Sequence, residues 1–331
     1  MNTQTPVRPP AMSSSLPVNL DADTQRVLAR LTADPFLDPS MSIEQMRAAF
    51  EAFYAAMYAD FGQIVDIENR AIEGRHGPIP IRKYTPRETL RRPLPVLMFI
   101  HGGGSIMGSL DSFDAVCQQL CASSGCLVIS IDYHLAPEHS FATSVDDSYD
   151  ALVWLHRNAA SLGGDPSRLA ISGESGGGCL AAIVTQLARE QGGPPLAFQL
   201  LLYPYVGTRG GSRSMQEFAR GYFFEADALN WIIGLNFPDR SVLADWRVSP
   251  IHAGDFTGLP PAFIVAAGAD ILRDDVEEYA RLLHDAGVPT ELSRYDTTIH
   301  GFIAMAGQIE AGRIALTECG TKLRRALRPE G

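Results

Sequence analysis

The sequence predicts an α/β protein: a mostly parallel central sheet of about eight strands with helices on both faces and a helical cap. Three observations carry this. Unbroken apolar runs such as Val96-Leu97-Met98-Phe99-Ile100 and Cys126-Leu127-Val128-Ile129-Ser130-Ile131 recur along the chain, as strands buried on both faces do. Helical patterns separate these runs, which is the rhythm of a doubly wound sheet. One stretch, 207–246, breaks the rhythm with Gly, Arg and aromatic residues, in the way a lid inserted after a strand does.

Two helical patterns come first. Residues 21–31 place Val27, Leu28 and Leu31 on one face, and residues 42–61 repeat Met46, Phe50, Phe53, Met57 and Phe61 at helical spacing, with Ser42 as N-cap and Glu44 in the first turn. Segments 64–72 and 79–84 then alternate around a Gly77-Pro78 turn and read as an antiparallel strand pair. Further strands are expected at 96–100, 126–131, 169–172, 198–203 and 262–267, and a more polar last strand at 291–295. The intervening helices are expected near 112–123, 144–160, 176–190, 273–286 and 304–326. Within 207–246 a helix is expected at 226–235. Its aromatics Tyr222, Phe223, Phe224 and Trp231 either line a lid or form that segment's own small core, the second being the commoner use of aromatic area. The organisation expected is a poorly ordered start (1–20), N-terminal cap helices (21–61), a core (62–206 and 247–331) and an inserted cap segment (207–246).

The 331 residues are 46% hydrophobic and 20% charged, with a net charge of −11. These are globular values. An acidic chain without a Lys/Arg cluster argues against nucleic-acid binding and against an anionic membrane surface. No apolar run approaches a membrane span, and the polar, Pro/Ser-rich start lacks the apolar stretch of a secretory signal. The five cysteines (Cys117, Cys121, Cys126, Cys179, Cys319) have no zinc spacing. They read as reduced, buried thiols of a cytoplasmic protein.

The chemistry is concentrated in a few short motifs. Gly173-Glu174-Ser175-Gly176-Gly177 fits G-x-S-x-G between an expected strand and an expected helix, the context in which a strained turn projects a nucleophilic serine. A phosphate-binding glycine turn is the alternative, but the glycine order does not fit G-x-G-x-x-G and no P-loop lysine follows. His101-Gly102-Gly103-Gly104 follows the strand at 96–100. Acyl transfer develops negative charge on a carbonyl oxygen, and such a loop can aim N–H groups at it. Gly103, Gly104 and Gly176 are the expected donors.

A serine nucleophile needs a base and an orienting carboxylate, in the chain order serine, acid, histidine. Of the histidines after Ser175, His284 sits in an amphipathic helical run and His252 in a Pro/Gly-flanked segment, while His300 follows the last strand. Asp270 comes straight off the strand at 262–267. Asp274 and Asp275 already belong to a helix start, and Asp296 competes only by closeness in sequence. His101 is expected to orient the glycine loop. Glu174 either braces the loops around Ser175 or is a solvated acid at a helix start. Ser105, Ile106, Tyr205 and Phe302 are candidate pocket residues because they adjoin these motifs. No metal or cofactor motif is evident, so none is expected.

Together the motifs resemble the bacterial hormone-sensitive-lipase-like esterases of the α/β-hydrolase fold. The resemblance runs from about Asp21 to Leu327. It rests on the H-G-G-G and G-x-S-x-G motifs, Asp132-Tyr133-His134-Leu135-Ala136-Pro137-Glu138-His139, Val248-Ser249-Pro250, Asp270-Ile271-Leu272-Arg273-Asp274 and His300-Gly301-Phe302. It implies a Ser175-Asp270-His300 triad, a cap built from the N-terminal helices and the insertion, and cleavage of short- to medium-chain acyl esters without a cofactor. Dimers are common in such proteins, so a homodimer is a possible state. The chain departs from the family pattern at Ser105 (usually aromatic), His134, Ser140, Ala142, Glu174, Cys179 and Ile271, none of which removes a catalytic group. Amide hydrolysis, for instance of N-acyl arylamines, uses the same triad and stays open. A plant hormone receptor on this fold lacks the base. Since Ser175, Asp270 and His300 are all present, a binding-only role is the weaker reading.

Overall fold

The computed structural model describes residues 18–38, 40–57, 62, 65–87, 93–208 and 210–328. The expected poorly ordered start lies mostly outside these residues; Leu20, at its end, is only 2% exposed and belongs to the core. Helix α1 spans Ala22–Ala33, capped by Asp21 accepting from Thr24 N, and α2 spans Ile43–Ala56 behind a reciprocal Ser42–Gln45 capping box. The expected extension of α2 through Phe61 is not seen: the helix ends before Met57, and Phe61 lies outside the described residues.

The antiparallel pair is β1 (Val65–Gly74) and β2 (Gly77–Pro86). On β2 the alternation buries Ile79 and Ile81 on one face, while Tyr84 is buried on the other. Strands β3 (Leu94–Ile100), β4 (Leu127–Ile131), β5 (Gly164–Glu174), β6 (Phe198–Leu202), β7 (Ala262–Ala269) and β8 (Thr290–Ile299) follow. The sheet order is β1-β2-β4-β3-β5-β6-β7-β8, parallel from β4 through β8. The remaining helices are α3 (Asp114–Ser124), α4 (Phe141–Asn158), α5 (Gly176–Glu190), α6 (Arg213–Glu217), α7 (Ala226–Asn236), α8 (Arg273–Asp285) and α9 (Glu310–Ala326).

The order fixes the layers. From β3 the chain steps to one side through α3, then crosses back through α4 to β5 on the other side of β3. Right-handed crossovers in opposite directions put α3 and α4 on opposite faces. Accordingly α3 packs on α9, and α4 on α5. The loops after β3 and β5 therefore leave adjacent strand ends in opposite directions and open a crevice, where α/β sheets bind ligands. Strands β4, β6 and β7 are buried at every position, whereas β8, the sheet edge, is largely exposed.

Other boundaries differ from the sequence reading as well: β5 begins at Gly164, five residues before the expected Leu169. Strand β8 runs on to Ile299 rather than ending at Tyr295. Helix α9 begins at Glu310, because 300–308 form a series of buried turns. Between β7 and β8 the register shifts at Gly268. A Cβ there would lie 2.4 Å from the Asp296 carbonyl oxygen and 2.5 Å from its Cα. The irregular β8 backbone can approach β7 this closely only because residue 268 has no side chain. Gly268→Ala is therefore expected to force the two strand ends apart and cost about 1–3 kcal/mol of stability, read as a lower denaturant midpoint at unchanged slope.

Candidate active site

Each of the three candidate groups is the first residue beyond a parallel strand: Ser175 after β5, Asp270 after β7 and His300 after β8. Ser175 sits at φ 51° and ψ −113°, a conformation that a side-chain-bearing residue holds only when its surroundings over-determine it. Its N–H donates to Leu202 O at 2.9 Å, and its carbonyl accepts from Cys179 N and Tyr205 N, each at 3.0 Å. The glycines make the turn possible: a Cβ on Gly173 would lie 2.1 Å from Gly177 O. The result places the Ser175 hydroxyl at the N-terminus of α5, in a site where the residue is 8% exposed.

His300 Nε2 lies 2.8 Å from Ser175 Oγ, and its Nδ1 lies 2.6 Å from Asp270 Oδ2. Asp270 Oδ1 accepts from Leu272 N at 2.9 Å. A carboxylate can only accept, so Nδ1 carries the proton and Nε2 is left to accept from the serine hydroxyl. Burial alone would lower the imidazole's proton affinity. The charges of Asp270 and Glu174, with the Asp270 hydrogen bond, reverse this and hold His300 above its ordinary value. The group is thus ready to take a proton and keep it.

The loop after β3 closes the other side. Gly103 and Gly104 have positive φ, and a Cβ on Gly176 would lie 2.9 Å from Gly104 N. The glycine loop and the start of α5 are therefore in direct contact, and all three expected oxyanion donors line the same small space as Ser175, Gly103 and Gly104 from the loop and Gly176 from the helix. His101 is fully buried, stacks on Tyr133 at 4.4 Å between centroids, and engages the Gly102 carbonyl through Nδ1 at 2.8 Å. Arg47 of α2 reinforces the loop by donating to Ile106 O and Ala136 O while paired with Glu138. Asn236 at the end of α7 donates to Gly104 O at 2.9 Å.

Glu174 is 3% exposed, so it is not a solvated acid. Its carboxylate lies against Gly102, where an added Cβ would clash with Oε2. Burial pushes it up to about 7, against the pull of the His300 imidazole.

The pocket in front of Ser175 is narrow, about 70 Å³, and mostly apolar. Ser105 and Tyr205 line it as expected. Ile106 and Phe302 do not: Ile106 is buried in the core, and Phe302 packs behind the site on Tyr203 and Tyr295. Ser105 has φ 59°, which turns the chain so that Met107 rather than Ile106 reaches the pocket. The sequence reading missed Phe36, Phe50, Tyr54, Ile232 and Asn236, which also line it. The apolar stripe of α2 and the polar residue closing the run Trp231-Ile232-Ile233-Gly234-Leu235 of α7 were the available signals. The aromatics of the insertion divide between the two expected uses: Phe223 and Phe224 line the pocket, while Tyr222 packs on Phe218. Phe36, Leu37 and Phe223 also line a second, wider cleft.

Because the Glu174 carboxyl is held near 7 in the folded chain but at 4.5 when free, the folded state keeps a proton that the unfolded state loses in that window. Stability should therefore fall as pH rises from about 4.5 to about 7. Glu174→Gln removes this dependence. Its stability relative to the parent should rise across the window by on the order of 3 kcal/mol, as measured by urea denaturation at about pH 5 and about pH 8.

A family model described as the alpha/beta hydrolase fold matches residues 97–304. Carboxylesterase NlhH of Mycobacterium tuberculosis is 43% identical over 254 residues, covering 75% of this chain and 79% of that protein. Ethyl acetate hydrolase of Pseudomonas putida is 34% identical over 302 residues, covering 89% and 94%. Among solved structures, an ester hydrolase from the metagenome of Lake Arreo, in complex with a bipyridine phosphonate derivative, superposes with a TM-score of 0.89 at 37% identity, covering 92% of this chain and 98% of that one. The chain thus belongs to the hormone-sensitive-lipase-like esterases of the α/β-hydrolase fold and is a serine hydrolase of carboxylic esters.

Proposed function

We propose that this esterase hydrolyses short- to medium-chain acyl esters through a Ser175-His300-Asp270 triad. The observation that carries this is the continuous hydrogen-bonded line from Asp270 through His300 to Ser175 Oγ, opening onto an apolar pocket. Ser175 Oγ attacks the ester carbonyl as His300 Nε2 takes its proton. Asp270 holds the imidazole in the tautomer that can accept and stabilises the imidazolium that forms. The N–H groups of Gly103, Gly104 and Gly176 stabilise the oxyanion. His300 then returns the proton to the leaving alcohol, and a water activated by the same imidazole cleaves the acyl-enzyme.

Residues 21–61 and 207–246 act as the cap over a core of 62–206 and 247–331. In support, Phe36, Phe50 and Tyr54 come from the first segment and Phe223, Phe224 and Ile232 from the second, and all face the pocket. The small volume at Ser175 favours short acyl groups, and the wider cleft that shares Phe36 and Phe223 leaves room for medium ones. Among the described residues no helix is long and apolar enough to cross a membrane.

Ser175→Ala and His300→Ala are each expected to lower turnover of p-nitrophenyl butyrate by about 10⁴-fold or more. A Ser175→Ala protein as active as the parent excludes this assignment. Across p-nitrophenyl esters from acetate to palmitate, kcat/KM should peak at short chains and collapse at the longest. Activity on aryl anilides exceeding that on the esters would instead identify an amidase.

A further inference from the structure

The imidazole of His300 has a neighbour that the triad does not account for. The ring of Phe224, from the 207–246 segment, lies over it with centroids 4.6 Å apart and planes inclined by 24°. Tyr203 meets the same imidazole at 5.0 Å and 64°, edge to face.

The turn that delivers Phe224 is built at a cost. Phe223 sits at φ 72°, where a bulky side chain is a genuine outlier. Gly221 N donates to Glu225 Oε1, Phe224 N to Tyr222 O, and Ala226 N to Ala219 O. Below the turn, Phe218 packs under the Arg273 guanidinium at 4.9 Å, and Arg273 N donates to Asp270 O. The strained turn is thus anchored to the loop of the triad acid. It sends Phe223 onto Phe36 and Phe224 onto the imidazole.

We propose that Phe224 is a positioning residue of the reaction: its ring face fixes the plane of the His300 imidazole and stabilises the imidazolium that forms when Ser175 gives up its proton. The inference rests on the reading of His300 as the base. A cation over an aromatic face is attracted by the ring quadrupole, the more so in a dry site. The imidazolium appears only after proton transfer, so this attraction acts on the transition state and not on bound substrate. The other groups on His300 are the Asp270 carboxylate at Nδ1, the Ser175 hydroxyl at Nε2, and the Glu174 carboxyl, whose charge also favours the protonated ring. Tyr54 and His101 bear on Glu174.

The test is the pH dependence of kcat/KM for p-nitrophenyl butyrate in the Phe224→Leu enzyme, which keeps the apolar cover and loses the π face. Removing the attraction disfavours the imidazolium, so the acid limb should move to lower pH by roughly 0.4–1.5 units, with a plateau kcat several-fold lower. Phe224→Tyr should restore both. An acid limb that stays in place, or moves upward as it would if the ring merely excluded water, overturns the proposal. Trifluorophenylalanine at 224 preserves shape while weakening the π face, and should shift the limb downward even if Phe224→Leu folds poorly. His300→Ala, measured alongside, separates the two levels. Retained turnover there removes the base assignment and this inference with it; lost turnover with an unmoved Phe224→Leu limb removes the stack alone.

Discussion

The backbone of Ser175 is the constraint on which the rest of the site depends. A residue at φ 51° and ψ −113° costs about 1–3 kcal/mol relative to an ordinary conformation. It persists because β6 holds its N–H, α5 and the chain after β6 hold its carbonyl, and the flanking glycines let these backbones meet. The hydroxyl's position is thereby set by the sheet, not by a side-chain rotamer. Asp270 and His300 are set the same way, one residue past β7 and β8, which follow β5 and β6 across the same sheet. Distances of 2.6 and 2.8 Å along the line then follow from strand register, and the close β7–β8 approach at Gly268 is part of what sets that register.

The covering segments are not passive walls. The 207–246 segment reaches the Asp270 loop, the His300 imidazole and the glycine loop. Ser214 N donates to Asp274 Oδ2 and Ser214 Oγ to Ile271 O, which pins the segment to the Asp270 loop. Phe224 covers the base, and Asn236 holds the Gly104 carbonyl, with Ile232 packed where a Gly104 side chain would be. From the N-terminal side, Arg47 bonds the carbonyls of Ile106 and Ala136. Groups that shape the pocket are therefore mechanically joined to groups that do the chemistry. A change in these covering segments will also be felt at the glycine loop and the His300 imidazole.

The proposed triad was legible in the sequence because each member is announced by backbone requirements. Gly173, Gly176 and Gly177 mark the turn that exposes Ser175, and strand ends followed by Asp270 and His300 in the fold's chain order leave few rivals. The parallel strands were legible for a related reason: burial on both faces writes unbroken apolar runs. The edge strand β8 carries no such run, so its true extent to Ile299 did not show. Residues 302–306 are apolar enough to imitate helix α9, yet they form turns, since nothing in composition separates a buried turn from a helix start. The pocket was least legible. Adjacency to a motif suggested Ile106 and Phe302, but a positive φ at Ser105 redirects the chain, and Phe36, Phe50 and Phe224 arrive from segments distant in sequence.

Two carboxyls lie near one imidazole in this buried site, and their surroundings assign them different parts. Asp270 meets the imidazole at 2.6 Å and accepts from the Leu272 N–H at 2.9 Å, so two donors face its charge. Glu174, pressed against Gly102, is pushed up to about 7 by burial. Near neutrality a carboxyl held at about 7 is only partly ionised, and the negative charge in hydrogen-bond contact with the imidazole is that of Asp270. As Glu174 ionises, it adds a second negative charge beside His300 and raises the imidazole's proton affinity further. A base that binds its proton more tightly accepts it from serine more readily but returns it to the leaving alcohol less readily. In the proposed cycle Glu174 therefore weights the two proton transfers in opposite directions, from a side chain that lines the pocket with Ser175 and His300.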